Sequence, residues 1–567
     1  MMLGLVLTAP MAAAVSLAEA SPATLALLLV YFVTVALLSV FGSHRLVLVL
    51  SYLRNRSKAA PLPEPLSDAL CPTVLLQLPV YNERLVVERL IDRVADLDWP
   101  RDRLRIQVLD DSNDDTTLRA ARAVERHRAM GLSIELVHRK NREGFKAGAL
   151  QVGLETDADQ NPAPAPFVAI FDADFLPRPD FLRRALQPLV QDETLGMAQA
   201  RWTHINRSRN LLTRAQAILL DGHFIIEHGA RFRAGRFFNF NGTAGVWRRK
   251  AIEEAGGWKG DTLTEDLDLS YRAQLAGWRF CFLQELEVPA ELPEDARAFK
   301  TQQHRWAKGS IQTARKLLPN IWRAPLPLGT RLEATFHLAA NLAYPLMVLL
   351  LLLLPITLYV RTEHSPWLGL ALDMPAFLLA TASLLLFYSV AERELGDGGW
   401  LKRLPLIPFV LGLGASLTPN NSRAVWEALT NRKSPFVRTP KTGGTSARNG
   451  YRQKLGIQAL IETAWGLYFL GGAAYALGQG LWVPVPFLVV FAAAFLLLGL
   501  GSFLPAITHS GKTRDSSATS DLSVARAATG SQPPEAHSPA RLPNSGPATS
   551  PPQLPPSMRD RRAGGDR

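Results

Sequence analysis

Apolar and polar positions follow two regimes along the chain, and the change of regime marks its organisation. Between residues 73 and 171, short apolar runs recur at Thr73–Leu78, Leu104–Leu109, Ile134–Val137 and Phe167–Phe171, with helical periodicity in the stretches between them. Strands alternating with helices predict βαβ units, and apolar runs without alternation suit parallel strands buried on both faces. Elsewhere the apolar runs are far longer. Ala23–Gly42 carries no charge, Ala334–Val360 has no Asp, Glu, Lys or Arg, and Pro366–Val390 holds only Asp373. Gly456–Gly478, which contains Glu462, and Leu481–Ile507 follow. Each is long enough to cross about 30 Å of hydrocarbon, which predicts five transmembrane helices with an α/β domain inserted after the first. An ionisable residue such as Glu462 in a span faces a polar path or a partner, or lies close enough to the interface to snorkel. Leu404–Thr418 is apolar but short and carries Pro405, Pro408, Gly412 and Gly414.

Charge sets the orientation. Arg45, Arg54, Arg56 and Lys58 follow the first apolar run, so the positive-inside bias puts the α/β domain in the cytoplasm of an inner (plasma) membrane protein. If Leu404–Thr418 crossed, the loop with Arg423, Arg432, Lys433, Arg438, Lys441 and Arg448 would lie outside; an interfacial or re-entrant segment is predicted instead. The domain plan is then an N-terminal segment 1–22, a first span 23–42, a soluble domain 72–330 and a membrane region 334–507. That region holds four further spans and a cytoplasmic loop, 421–454. Residues 1–22 are apolar and end near Ala18-Glu19-Ala20 like a signal peptide, but lack its basic start. Residues 508–567 are rich in Ser, Pro, Ala and Arg without an aromatic residue, and predict a disordered tail.

Composition adds exclusions. A chain of 567 residues with 47% hydrophobic content is more than one small domain. The excess of Lys+Arg, 62, over Asp+Glu, 50, sits beside apolar segments, which reads as membrane flanks and not as a nucleic-acid surface. Cys71 and Cys281 are the only cysteines and support neither a disulfide framework nor a zinc site, so any metal is held by carboxylates.

The candidate chemistry gathers at predicted strand ends, where α/β sheets bind ligands. Phe167–Phe171 stops on Asp172-Ala173-Asp174, two oxygen donors that suit a divalent cation shared with a diphosphate, though the pair also suits a helix cap. Tyr81 and Glu83 follow the first strand and Asp111 the second. Asn141–Gly148 follows the third, with Arg142 and Lys146 available to phosphate. Each cluster alone fits a turn; four on one sheet edge predict a pocket. Farther on, Thr264-Glu265-Asp266 offers Asp266 as a general base or, equally, the start of a helix. Gln302-Gln303-His304-Arg305-Trp306 offers hydrogen bonds, a phosphate fork and a stacking face, or an amphipathic helix with a core Trp.

In combination these motifs resemble a family 2 inverting glycosyltransferase of the cellulose synthase superfamily, closest to its mannan and glucomannan synthase branch. Asp111, Asp172-Ala173-Asp174, Thr264-Glu265-Asp266 and Gln302–Trp306 match the superfamily's four signatures in order. Asn141–Leu150 and Phe240–Arg248 look like the mannan-synthase branch, and Phe436–Lys441 like a gating loop. The resemblance implies an α/β nucleotide-diphosphosugar transferase domain, GT-A-like with a mostly parallel sheet, inserted between transmembrane helices. It implies that Tyr81, Glu83 and Asp111 hold the nucleoside, that Lys146 lies near the diphosphate, and that Asp172 contacts the donor. It further implies that Asp174 ligates Mg²⁺ or Mn²⁺ and that Asp266, with Glu265 beside it, is the general base. Gln302, Gln303, Arg305 and Trp306 would bind pyrophosphate and the acceptor's end, with Thr439 and Lys441 closing over the donor. His304-Arg305-Trp306 runs on into Ala307-Lys308-Gly309, unlike the plant branch, and no regulatory cyclic-dinucleotide domain follows the membrane region.

The function expected is transfer of hexosyl units from GDP-mannose or UDP-glucose to a growing β-glycan, coupled to its translocation, with cell-envelope export proteins as candidate partners. Two alternatives stand beside it. One is a single transfer to a lipid acceptor such as a diacylglycerol or ceramide. The other is a transporter or scaffold with a regulatory nucleotide-binding domain, which needs neither a base nor a metal pair.

Overall fold

The four apolar runs become the first four strands of one seven-stranded sheet in the computed structural model, which describes residues 21–59, 61–364, 378–432, 441, 443, 457–482 and 484–503. They are β1 (Val74–Val80), β2 (Leu104–Asp110), β3 (Ile134–His138) and β4 (Phe167–Ile170), followed by β5 (Leu195–His204), β6 (Gly245–Arg248) and β7 (Arg279–Ala290). The order is β3-β2-β1-β4-β6-β5-β7. Strands β3, β2, β1 and β4 pair in parallel, β6 runs antiparallel to β4 and β5, and β7 is parallel to β5.

Burial explains why β1 lacks alternation. Leu76 and Leu78 enter a core on one face of the sheet while Leu75, beside them in sequence, enters the core on the other. The chain runs from β1 outward through β2 to β3, then returns to the opposite side of β1 as β4. The crevice beyond the carboxyl ends of β1 and β4 is therefore the switch point of the topology.

The helix predicted over Ala23–Gly42 spans Pro22–Arg54, started by Ser21, whose hydroxyl accepts from the Thr24 amide at 3.2 Å. It passes its first basic residues unbroken because the α/β domain and a neighbouring helix take them up. Arg45 pairs with Glu227 and its guanidinium lies 5.0 Å from the Phe387 ring centre, while Tyr52 is fully buried under Arg233. Pro22–Arg54 and Leu328–Val360, each 33 residues, are long and apolar enough to cross a membrane among the described residues. At 1.5 Å per residue each measures about 50 Å and outruns a bilayer core. Trp400–Ser416 and Thr418–Leu429, bent by 42°, could form a third crossing or a re-entrant loop. Ile457–Gly478 and Val485–Phe503 pack along one another. Residues 1–20 of the N-terminal segment, the start of the predicted span at Pro366, most of the loop 421–454 with Thr439, and the tail 508–567 lie outside the described residues.

Glu462 finds a partner. Both its oxygens accept from Lys300 Nζ, at 2.9 and 2.8 Å, and both residues are buried. Lys300 opens the long helix Ala296–Arg323, and its carbonyl accepts from Asn420, which in turn accepts from Gln458. Two turns on, Lys308 and His304 share Glu427 at 3.1 Å each. These contacts clamp the helix to the polar helix at 418–429 and to the apolar helix at 457–478.

A buried pair of this kind costs more to break than to remove. Lys300→Met and Glu462→Met should each destabilise by about 3–5 kcal/mol, whereas the double variant should recover most of the loss. Thermal unfolding of the four proteins in one detergent measures the cycle, and additive losses would show that the two charges do not interact.

Candidate active site

The crevice at the ends of β1 and β4 is lined by Tyr81, Glu83, Asp111, Lys146, Asp172 and Asp174 from the first half of the domain. Glu265, Asp266, Gln302, Arg305, Trp306 and Lys441 line it from the second half and beyond. Seven stretches distant in sequence thus share one pocket.

Of the two carboxylates ending β2, only Asp111 faces it. Asp110 is buried and holds the strand end, accepting from Thr117 at 2.6 Å, the Ser112 amide at 3.0 Å and His138 at 2.9 Å. Asp111 is gripped in bidentate fashion by Arg139, at 2.7 and 2.6 Å. Arg142 lies with its guanidinium 3.3 Å from the Tyr81 ring centre, so the aromatic floor expected for a base already carries a cation. Asn82 adopts a left-handed backbone at φ 55°, held by its amide on Ser112 and its side chain on Asn113.

Charge alternates across the pocket's centre. Lys146 Nζ donates to Asp172 Oδ1 at 2.5 Å and to the Gly242 carbonyl at 2.8 Å. Burial works against its ammonium, but Asp172, Glu265 and Asp266 outweigh burial and the net shift in its pKa is upward. Arg305 is pulled downward by burial against the same three carboxylates. Gly242, at φ 81°, closes the floor: a β-carbon there would lie 3.0 Å from Asp266 Oδ2 and 3.4 Å from Lys146 Nζ.

Asp266 lies in the first turn of the helix Glu265–Leu275. Thr264 occupies the N-cap position without a capping side-chain bond, and its hydroxyl lies 3.4 Å from that of Thr313, so it does not act as the helix cap. Asp266 itself accepts from the Leu267 amide at 2.8 Å. Its pKa is raised to about 7, first by burial and then by Glu265, with Lys146 opposing. A carboxylate near neutrality in a closed cleft is suited to proton transfer.

Asp174, 3% exposed, accepts from the Glu291 amide at 3.2 Å and from Lys441 Nζ at 2.6 Å. Lys441 also donates to the Glu291 carbonyl at 3.3 Å. A cation therefore already sits on Asp174. Among the described residues no group of three His, Cys, Asp or Glu side chains converges to hold a metal ion. The donor set fits Mg²⁺ or Mn²⁺ held by one or two carboxylates together with substrate phosphates, not a cage made by protein alone.

On the helix Ala296–Arg323, Gln302, Arg305 and Trp306 share the face that meets the pocket, following i, i+3, i+4 spacing. Gln303 falls off that face and is not among the lining residues, and His304 turns to Asn420 and Glu427. The structure adds residues that the motif analysis did not assign to the site. Arg139 holds Asp111, and Trp202 and His204 at the end of β5 line the pocket, as does Glu291. Trp202 Nε1 and His204 Nε2 are buried without a hydrogen-bond partner among the described residues. Burial, with Arg207 and Arg201 nearby, pushes His204 down to about 3, so it is neutral. The signal was present in the run Gln199–Trp202, where an indole and polar groups follow an apolar strand.

Residues 72–309 match the family model described as glycosyltransferase like family 2. Glucomannan 4-beta-mannosyltransferase 1 of Oryza sativa subsp. japonica is 44% identical over 273 residues, 47% of this chain and 52% of the relative. Glucomannan 4-beta-mannosyltransferase 2 of Arabidopsis thaliana is 46% identical over 261 residues, 46% of this chain and 48% of the relative. The chain spans about half the length of these relatives. Among solved structures, the mannosyltransferase PcManGT from Pyrobaculum calidifontis in complex with GDP-Man and Mn²⁺ aligns at TM-score 0.47 and 20% identity. It covers 71% of this chain and 100% of its own. With its signature residues gathered at one switch-point crevice, the stretch 72–309 is a family 2 glycosyltransferase domain, flanked in the chain by apolar helices.

Proposed function

We propose that this protein is a membrane-embedded, inverting hexosyltransferase that extends a β-glycan from a nucleotide-diphosphosugar. The observation that carries the reading is the pairing, in one pocket, of a carboxylate poised near neutrality, Asp266, with the half-buried cations Lys146 and Arg305. Asp266 takes the proton of the acceptor hydroxyl as that oxygen attacks the anomeric carbon from the face opposite the leaving group. The C–O bond to the diphosphate breaks, and Lys146 and Arg305 face the charge that develops on it. Displacement of an α-linked donor in one step yields a β-linked product. Mg²⁺ or Mn²⁺ at Asp174 would add positive charge against the same diphosphate. Lys441 would then leave Asp174 for the diphosphate, closing the pocket over the donor and excluding water. Trp306 offers a stacking face for the acceptor's terminal sugar. The mannosyl transfer named in the plant relatives supports GDP-mannose as donor, with UDP-glucose the alternative.

A chain acceptor is favoured over a lipid by the position of the Gln302–Trp306 segment. Its helix is bolted to the apolar helix Ile457–Gly478 through Lys300 and to the neighbouring helix Thr418–Leu429 through His304 and Lys308, so the acceptor side of the pocket opens beside the membrane segments. In this reading the domain faces the cytoplasm, five spans carry it, the loop 421–454 supplies the lid, and export partners receive the product. Incubating membranes with labelled GDP-mannose or UDP-glucose and sizing the product tests the whole reading. A β-linked polymer is expected; a monoglycosylated lipid as the sole product would refute it.

Asp266→Asn should lower turnover by about 10²–10⁴-fold while donor affinity stays within a few-fold, because a base acts on the transition state. The wild-type kcat/KM should rise with pH through about 7, since Asp266 is the inactive acid below that value and the base above it. A flat profile across pH 6 to 8, in which range ~7 is the expected midpoint, would remove Asp266 from the role.

Asp174→Ala should abolish transfer and also weaken Mn²⁺ binding measured by calorimetry in the presence of nucleoside diphosphate. Unchanged metal binding in the variant would place the ion elsewhere.

A further inference from the structure

The two long apolar helices enclose a second cavity, away from the catalytic crevice. It is a groove of ≈ 530 Å³ between the later half of Pro22–Arg54 and the beginning of Leu328–Val360, with Ala230–Arg236 as its floor. The wall toward the middle of the two helices is apolar, formed by Val40, Val47, Leu48, Leu332 and Phe336. Val47 is 56% exposed and Leu332 44%, so these side chains meet whatever fills the groove. The other end, beside the catalytic domain, carries Asn55, Lys58 and Arg236.

The charges are not self-compensating. Glu333 is the one carboxylate among the lining residues, and it is taken at 2.9 Å by Arg231 and at 2.9 Å by His44, whose ring stacks on Phe336. Arg236 donates to the Thr330 hydroxyl at 2.9 Å, and among the described residues neither it nor Lys58 forms an ion pair. Gly329 lets the guanidinium lie across the end of the groove, since a β-carbon there would stand 2.5 Å from Arg236 Nη2. From Val40 to Ser51 the groove follows its helix for about 16 Å. Its apolar stretch therefore lies along a span and its basic end beyond it, the division of a lipid between acyl chain and headgroup.

We propose that this groove binds an anionic phospholipid, its acyl chain against Val40, Val47 and Phe336 and its phosphate against Lys58 and Arg236. A free phosphate would leave the apolar wall uncovered, and a zwitterionic lipid would leave two cations uncompensated. The site rests on the reading of the two helices as membrane spans. The bound lipid fastens the first span to the floor helix of the catalytic domain, and so holds the pocket at a fixed height over the bilayer.

The test uses the full chain purified in mild detergent after reconstitution in phosphatidylcholine bilayers with or without phosphatidylglycerol. Failure to reconstitute into either would refute the membrane reading itself. For the reconstituted protein, mass spectrometry of retained lipid should find phosphatidylglycerol enriched over phosphatidylcholine, and Tm should be higher in the anionic bilayer. Lys58→Ala with Arg236→Gln should cut that enrichment about thirtyfold, the effect of two basic contacts. Val47→Trp, which fills the groove without altering charge, should do the same. Arg54→Ala, a basic residue of the same helix outside the groove, should retain the enrichment. Equal retention in wild type and both groove variants would overturn the proposal. So would an equal loss in Arg54→Ala, which would mark diffuse surface charge, or displacement of the lipid by inorganic phosphate alone.

Discussion

Everything at the catalytic crevice depends on holding opposite charges together in a place with little water. Asp172, Glu265 and Asp266 converge on Lys146 and Arg305, all five half-buried, and withdrawing any one of them from water alone would be costly. Their mutual attraction offsets that cost only while the geometry is kept. The carboxylates come from just beyond β4 and from a helix start, and the cations from the first turn of the helix Phe145–Gln160 and the long helix at 296–323, so the fold must bring together four remote segments before the cluster is stable. The parallel pairing of β1 with β4 makes this possible by opening a crevice at the switch point, into which the segments' ends project.

The same arrangement poises Asp266. Asp172 takes the Lys146 ammonium directly at 2.5 Å and remains partly open to solvent. Asp266 is more deeply enclosed, with Glu265 beside it, and burial outweighs the help from Lys146. A carboxylate whose pKa is pushed up to about 7 is an acceptor for a proton near neutral pH. Arrival of a diphosphate would add negative charge to this balance, and the departure of Lys441 from Asp174 would free a carboxylate oxygen at the moment a metal and a phosphate need it.

How much of this was legible in the sequence follows from what burial does to pattern. Strands β1 to β4 announce themselves because parallel strands covered on both faces need apolar residues at every position. Strands β5 to β7 do not. Gln199 sits fully buried within β5, its amide bonded to the carbonyls of Ala200, Thr243 and Ala244, and a polar residue there breaks the run. β6 is four residues long, and β7 exposes Glu285 and Glu287 between buried neighbours. At the site, the carboxylates stand out because acids at strand ends are informative, whereas Arg139 reads as any surface arginine until Asp111 is seen in its grip. Gln303 was drawn into the site by belonging to an unbroken five-residue motif; a helix turns it about 100° from Gln302 and out of the pocket. The first span was expected to end at Gly42 because Arg45 follows, yet a charge ends a span only where it must reach water, and Arg45 reaches Glu227.

Glu462 shows what the membrane region contributes to chemistry. A carboxylate in an apolar helix must pair or protonate, and here it pairs with a lysine two residues before Gln302, the first pocket-facing residue of its helix. Because Lys300, His304 and Lys308 anchor one side of that helix while Gln302, Arg305 and Trp306 form the other, a shift of the apolar helices would move the acceptor face of the pocket with them. Such coupling needs no long pathway, only one rigid helix with a polar clamp on one side and the acceptor's binding surface on the other. In the polymer-extending reading proposed above this would be a requirement as well as a convenience: the product would have to advance by one sugar while Asp266 stays within reach of the new chain end. A helix tied to both the crevice and the membrane segments would keep those two positions in register from one transfer to the next.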